Sequence, residues 1–111
     1  MIKKIENLEH LPKLKRLIIG FNKISQIEGL DNLSNLERLY LSGNKITTIE
    51  GLSKLKMLTS LSLEENMLTE ISGLEGLEKL AKVYVEKNRL TSKEQRIAEK
   101  KYPEITFDFS Q

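Results

Sequence analysis

The sequence contains no cysteine, a single histidine, no strong excess of either charge and no long hydrophobic run. Without cysteine there is no disulfide framework, and no thiolate to bind a metal or act as a nucleophile. His10 is the only histidine, and no base–nucleophile pair can be assembled around it by spacing. Lys and Arg number 18 against 16 Asp and Glu, and a net charge of +2 offers no electrostatic argument for nucleic acid or an anionic membrane. The longest apolar stretch, around Leu17–Phe21, falls far short of the roughly 20 residues that span a bilayer. The opening MIKKIENLEHLPKLKRL holds no signal-peptide core. An intracellular location, cytoplasmic or nuclear, is the expectation from these absences.

What is present is a repeat. The chain has 111 residues, 39% hydrophobic and 31% charged, which suits one soluble domain. Leu33–Lys54, LSNLERLYLSGNKITTIEGLSK, is preceded by the same 22-residue pattern at 11–32 and followed by it at 55–76. A fourth copy begins at Leu77 and holds register to Leu90. Residues 1–10 read as the second half of a truncated repeat, because Ile2, Ile5 and Leu8 match Ile24, Ile27 and Leu30 one period later. A fixed period in this range is the signature of a stacked solenoid.

Each repeat has two halves. Leu39 and Leu41 lie two apart, the period of a half-buried strand. Ile46, Ile49, Leu52 and Leu55 then recur every three residues, which suits an irregular or 3₁₀-like return. Gly29, Gly51 and Gly73 share one offset in that return, where a positive φ or a close backbone approach is expected. Asn22, Asn44, Asn66 and Asn88 form a column at the bend, each with amide donors and an acceptor for backbone groups that would otherwise be stranded. No single coil can bury its leucines alone, so stacking must create the core.

After Leu90 the pattern breaks. Thr91 or Ser92 can cap a helix, with Glu94 and Gln95 each three residues on. The helix is expected to run to about Lys101 and stop at Tyr102–Pro103. EITFDF alternates like a strand, and adding one period to Val83 and Val85 gives Ile105 and Phe107, a fifth strand returning to the stack. Residues 91–111 therefore read as a C-terminal cap.

The pattern L-x-x-L-x-L-x-x-N-x-I at Leu36–Ile46, with I-x-x-I-x-G-L-x-x-L at Ile46–Leu55, resembles the leucine-rich repeat family. The 22-residue length resembles the subclass typified by the all-repeat regulatory subunit of a protein phosphatase. The tail, with Pro103, Ile105, Phe107 and Asp108, is similar to the helix, proline and strand cap of that subclass, and differs at its aromatic positions. Bacterial cell-surface adhesins carry repeats of the same length, but their characteristic secretion signal is missing from this sequence. The resemblance implies a leucine-rich repeat solenoid: a curved right-handed coil with a short-stranded parallel β-sheet on its concave face. It also implies irregular or 3₁₀ returns on the convex face and a protein partner bound on the concave one.

Strand alternation lets that face be read residue by residue. Between the paired apolar positions stand Ile18, Tyr40, Ser62, Tyr84 and Thr106. One step earlier are Arg16, Arg38, Ser60, Lys82 and Glu104, and one step later Gly20, Ser42, Glu64, Glu86 and Asp108. The next position gives Phe21, Gly43, Glu65, Lys87 and Phe109. Arg16 and Arg38 fall on adjacent strands roughly 4.8 Å apart, near enough to grip one acidic group. Tyr40 and Tyr84 stand roughly 10 Å apart with Ser62 between, leaving a shallow gap. Ile18 and Phe21 project from the first strand, where three arrangements compete: Met1–Lys4 folds over them, a partner covers them, or two chains pair edge to edge. A monomer is expected, with local or partner cover.

The remaining polar residues have ordinary readings. Ser60 and Ser62 have no activating histidine. Glu64, Glu65 and Glu86 lack the spacing of a calcium loop. Lys93, Arg96, Lys100 and Lys101 alternate with Glu94 and Glu99, as on a solvated helix face. No catalytic residue, metal or cofactor is expected. The sequence reads as a non-catalytic protein-interaction module, with Arg16, Ile18, Phe21, Arg38, Tyr40, Ser62, Glu64, Lys82, Tyr84 and Glu86 as its binding residues. The alternative is a minimal or designed repeat scaffold with no dedicated partner.

Overall fold

The leucine-rich half of each repeat folds as a three-residue strand: β1 Arg16–Ile18, β2 Arg38–Tyr40, β3 Ser60–Ser62, β4 Lys82–Tyr84. A helix, α1, spans Ser92–Lys101, and β5 spans Thr106–Asp108. The computed structural model describes residues 1–110. Its strands form one parallel sheet in chain order, β1 to β5, and the first four pair in the repeat's own register, Leu17 with Leu39 and Leu39 with Leu61. The long crossover that a parallel pair needs is supplied by the return half of each repeat.

These strands are too short to hold together through their ladder alone. Each interstrand hydrogen bond contributes a net ~1 kcal/mol. Full burial of a leucine or isoleucine side chain contributes ~1.5–3 kcal/mol. In one repeat Leu33, Leu36, Leu39, Leu41, Ile46, Ile49 and Leu52 are all 3% exposed or less, so side-chain burial outweighs the ladder. The return bends through i to i−3 bonds: the N–H groups of Leu55 and Leu58 donate to the carbonyls of Leu52 and Leu55. They are isolated turns rather than a continuous 3₁₀ helix. Gly51 needs both of the features expected of it. Its φ is +70°, and a Cβ there would come within 2.6 Å of the Ile27 carbonyl oxygen in the preceding coil.

The asparagine column joins successive coils. The Asn44 amide nitrogen donates to the Leu41 carbonyl of its own coil at 2.9 Å and to the Ile19 carbonyl of the preceding one at 2.9 Å. Its oxygen accepts the Ile24 N–H at 3.1 Å. Asn66 repeats the set one coil on, with Leu63, Leu41 and Ile46. Both asparagines are buried.

At the N-terminal end the Lys23 N–H donates to the Ile2 carbonyl at 2.8 Å and the Ile2 N–H to Asn22 Oδ1 at 2.9 Å. These bonds hold residues 2–5 along the next return, with Ile5 buried, rather than over the β1 face. Ile18 and Phe21 stay 66% and 67% exposed, so the cover expected from Met1–Lys4 is not formed.

The other end is closed by α1. Thr91, not Ser92, is its N-cap, accepting the Glu94 N–H at 3.2 Å, and Tyr102 is its C-cap. The Tyr102 hydroxyl donates to Glu75 Oε2 at 2.7 Å, and Lys101 Nζ lies 3.1 Å from the same oxygen. The tyrosine bond first, then a bond from its own backbone N–H and then the lysine, hold the Glu75 carboxyl down at about 2. The register of β5 corrects the expectation from periodicity. Val83 pairs with Phe107 and Tyr84 with Asp108, an offset of 24 residues rather than 22. The helical coil takes two more residues than a turn-only return, and an even shift leaves the faces of β5 unchanged. Phe107 thereby stacks on Phe109 with ring centroids 5.5 Å apart and meets Tyr102 at 6.3 Å.

Asn44→Ala is expected to lower unfolding stability by about 1–3 kcal/mol, because the buried backbone groups it serves lose those bonds. Urea unfolding would show this as a lower midpoint at unchanged slope. Glu75 ionisation stabilises the folded chain, a contribution complete above the ordinary 4.5 and lost as pH falls toward 2. Glu75→Gln should therefore flatten the loss of melting temperature through that window. Parallel pH profiles for the variant and the wild type would count against the Glu75–Tyr102 contact.

Candidate functional site

One face of the sheet carries the residues that differ from repeat to repeat. Pairing arranges them in three rows across the strands. Arg16, Arg38, Ser60, Lys82 and Thr106 are register partners, as are Ile18, Tyr40, Ser62, Tyr84 and Asp108. Just beyond, the Gly43 N–H donates to the Glu64 carbonyl and the Glu65 N–H to the Glu86 carbonyl, setting Ser42, Glu64 and Glu86 side by side. The rows run basic, then aromatic, then acidic along the strand direction. Because β5 is shifted, Asp108 stands beside Tyr84 rather than Glu86, and Thr106 rather than Glu104 stands beside Lys82.

Small residues on β3 open a trough between larger neighbours. A hollow of about 530 Å³ is lined by Arg38 and Tyr40 of β2, by Ser60, Ser62 and Glu64, and by Tyr84 of β4. Thr59 and Ser42 complete its rim, and Thr59 is fixed by a 3.0 Å bond from its hydroxyl to the Glu37 carbonyl. Lys82 Nζ sits 5.1 Å from the Tyr84 ring centroid, bracing one wall. Arg38, Tyr40, Ser62, Glu64 and Tyr84 are therefore brought together, with Lys82 and Glu86 at the margin. Arg16 is adjacent to Arg38, one strand outside the hollow. Ile18 and Phe21 lie apart at the β1 edge.

The acidic row is electrostatically uncomfortable. Glu64 Oε1 and Glu86 Oε1 are both buried and have no hydrogen-bond partner. Desolvation, partly offset by a hydrogen bond from its own backbone N–H and reinforced by the charges of Glu86, Glu65 and Asp108, raises the Glu64 carboxyl above its ordinary range. Asp108 moves the other way, held down by bonds from Ser110.

Backbone conformation reveals a feature that no residue type announces. Phe21, Gly43, Glu65 and Lys87, one per coil, all have φ between +55° and +71°. Only the second coil uses glycine there, and it does so against Phe21. A Cβ on Gly43 would lie 2.8 Å from Phe21 Cε1, so the phenyl ring leans on the bare glycine. His10 is exposed. Among the described residues no three His, Asp or Glu side chains are grouped to hold a metal ion.

A parallel ladder of short strands with leucines inside, an asparagine at each bend and variable residues outside defines a repeat solenoid. Two leucine-rich repeat family models match, one over residues 4–46 and a two-copy model over 34–76. The chain belongs to the leucine-rich repeat family. A chain of the Drosophila melanogaster SNF/U2A′ complex matches at 28% identity and TM-score 0.85, over 99% of this chain and 68% of that one. An internalin (inlF) of Listeria monocytogenes matches at 35% identity and TM-score 0.66, over 76% of this chain and 25% of that one. The TLR13–ssRNA13 complex matches at 27% identity and TM-score 0.77, over 89% and 15%. The chain thus spans about a quarter of the internalin and about two thirds of the SNF/U2A′ chain. Comparison with curated proteins finds no match.

Because ionisation of Glu64 opposes folding, Glu64→Gln should raise the melting temperature at pH 7 by a few degrees. At about pH 3, where Glu64 is protonated in both states, the two proteins should melt together. Destabilisation at pH 7 would mean that the carboxylate has a partner.

Proposed function

We propose that the protein is a non-catalytic interaction module that binds a protein or peptide segment on the concave face of its sheet. The observation that carries this reading is the segregation of sequence variation. Positions such as Leu39, Leu41 and Asn44 recur because the stack needs them, whereas Arg38, Tyr40, Ser62, Glu64 and Tyr84 gather around one hollow. Half-buried tyrosine and exposed arginine in a recess are the residue types that dominate binding energy. The resolved complex of SNF with U2A′ supports a protein ligand for a chain of this shape.

The TLR13 structure contains single-stranded RNA. In this chain an acidic row with unpaired oxygens lies on the same face as the basic one, beyond the tyrosines, which opposes a phosphate backbone crossing the face. A scaffold with no dedicated partner would need no such clustering.

The test is affinity capture with wild-type protein and an Arg38→Ala/Tyr40→Ala variant. A partner retained by the wild type and lost by a variant that melts normally supports the reading. Equal retention by both would place the binding surface elsewhere.

A further inference from the structure

We propose that the trough over β3 receives an extended segment of a partner protein in which an acidic residue and an arginine stand four positions apart. The acidic residue would lie between Arg38 and Lys82, and the guanidinium between Glu64 and Glu86. This rests on the concave-face reading and narrows it to one ligand chemistry.

The geometry comes from the register. Ser60 is flanked by Arg38 and Lys82, and Ser62 by Tyr40 and Tyr84. Two residues further along, Glu64 is flanked by Glu86. From the cationic flank to the acidic one is four residues, roughly 13 Å at the ~3.3 Å rise of a strand. A ligand in the same extended conformation covers that distance in four residues. Its positions i, i+2 and i+4 point to one face, so the middle one falls between the tyrosine rings.

Width selects an extended chain. The walls stand on β2 and β4, two strand spacings or ~9.6 Å apart, and the tyrosine side chains narrow the gap. A helix with its side chains is ~10–12 Å across and would ride above the trough without reaching its floor.

Chemistry selects arginine at the acidic end. Glu64 and Glu86 each bury a carboxylate oxygen that has no partner in the chain, so the missing group is a hydrogen-bond donor. A guanidinium supplies several donors in a planar fork, binds carboxylates bidentately, and can lie against Tyr84 on the way in. Lysine offers a point charge without the fork. At the other end, Arg38 and Lys82 flank Ser60 with two cationic groups, and a carboxylate is the complementary group. Both chain directions satisfy these contacts.

The test uses the blocked peptide Gly-Asp-Ala-Pro-Ala-Arg-Gly and its reversed sequence, titrated into isotope-labelled protein and followed by amide chemical shifts. At least one direction should move Ser60, Ser62 and Glu64 and saturate by millimolar concentration. Replacing the peptide arginine with glutamine, or placing acid and arginine adjacent, should weaken binding about tenfold or more. The Glu64→Gln/Glu86→Gln variant should do the same while melting at or above the wild-type temperature. Ser62→Trp, which fills the trough, should abolish the shifts. Silence from both directions, shifts away from β3, or equal affinity after loss of the arginine or the two carboxylates would overturn the proposal. Partner capture lost on Arg38→Ala/Tyr40→Ala alongside any of those results would leave the concave-face reading intact and remove only the ligand chemistry.

Discussion

The structure depends on the side-chain amide of one asparagine per coil. Three-residue strands leave most of each repeat's backbone outside the ladder, and the bend after each strand turns buried polar groups inward. Asn44 and Asn66 meet that demand while bridging to the coil before, and the Leu41 carbonyl accepts from both at 2.9 and 3.1 Å. Leucine burial supplies more free energy, but it is non-directional and would tolerate coils sliding past one another. The amide bonds fix the register. With the register fixed, outward-facing residues of successive coils fall into rows.

Those rows turn a repetitive fold into a surface with distinct chemistry. A solenoid presents the same backbone at every coil, so discrimination between partners rests on side chains at a few offsets. Here Ser60 and Ser62 matter as much as the larger groups, because their small size opens the trough that Tyr40 and Tyr84 wall. The buried, unpaired oxygens of Glu64 and Glu86 are a local sacrifice of stability. Buried polar atoms without a partner are rare in folded proteins.

Much of the fold is legible in the sequence, and the exceptions share a cause. Leu39, Leu41 and Asn44 announce strand, core and bend because their spacing is fixed by the coil. Tyr40, Ser62 and Tyr84 are readable as a gap because the period is unbroken from β2 to β4. Periodicity fails at β5, where helix α1 makes the coil two residues longer, so it places Asp108 one row too far. The left-handed conformation of Phe21, Glu65 and Lys87 carries no residue-type signal, since only Gly43 advertises it. The Tyr102–Glu75 bond joins residues 27 apart through the folded cap, outside any local pattern.

Hydrogen exchange in Asn66→Ala tests most directly the view that the amide column fixes the stack while the variable rows do not. The Ile46 N–H, which donates to Asn66 Oδ1 at 3.0 Å, should lose protection together with its neighbours in that bend. Protection throughout the core should remain unchanged in Arg38→Ala/Tyr40→Ala. Unaltered protection of Ile46 in Asn66→Ala would contradict the role assigned to the asparagines.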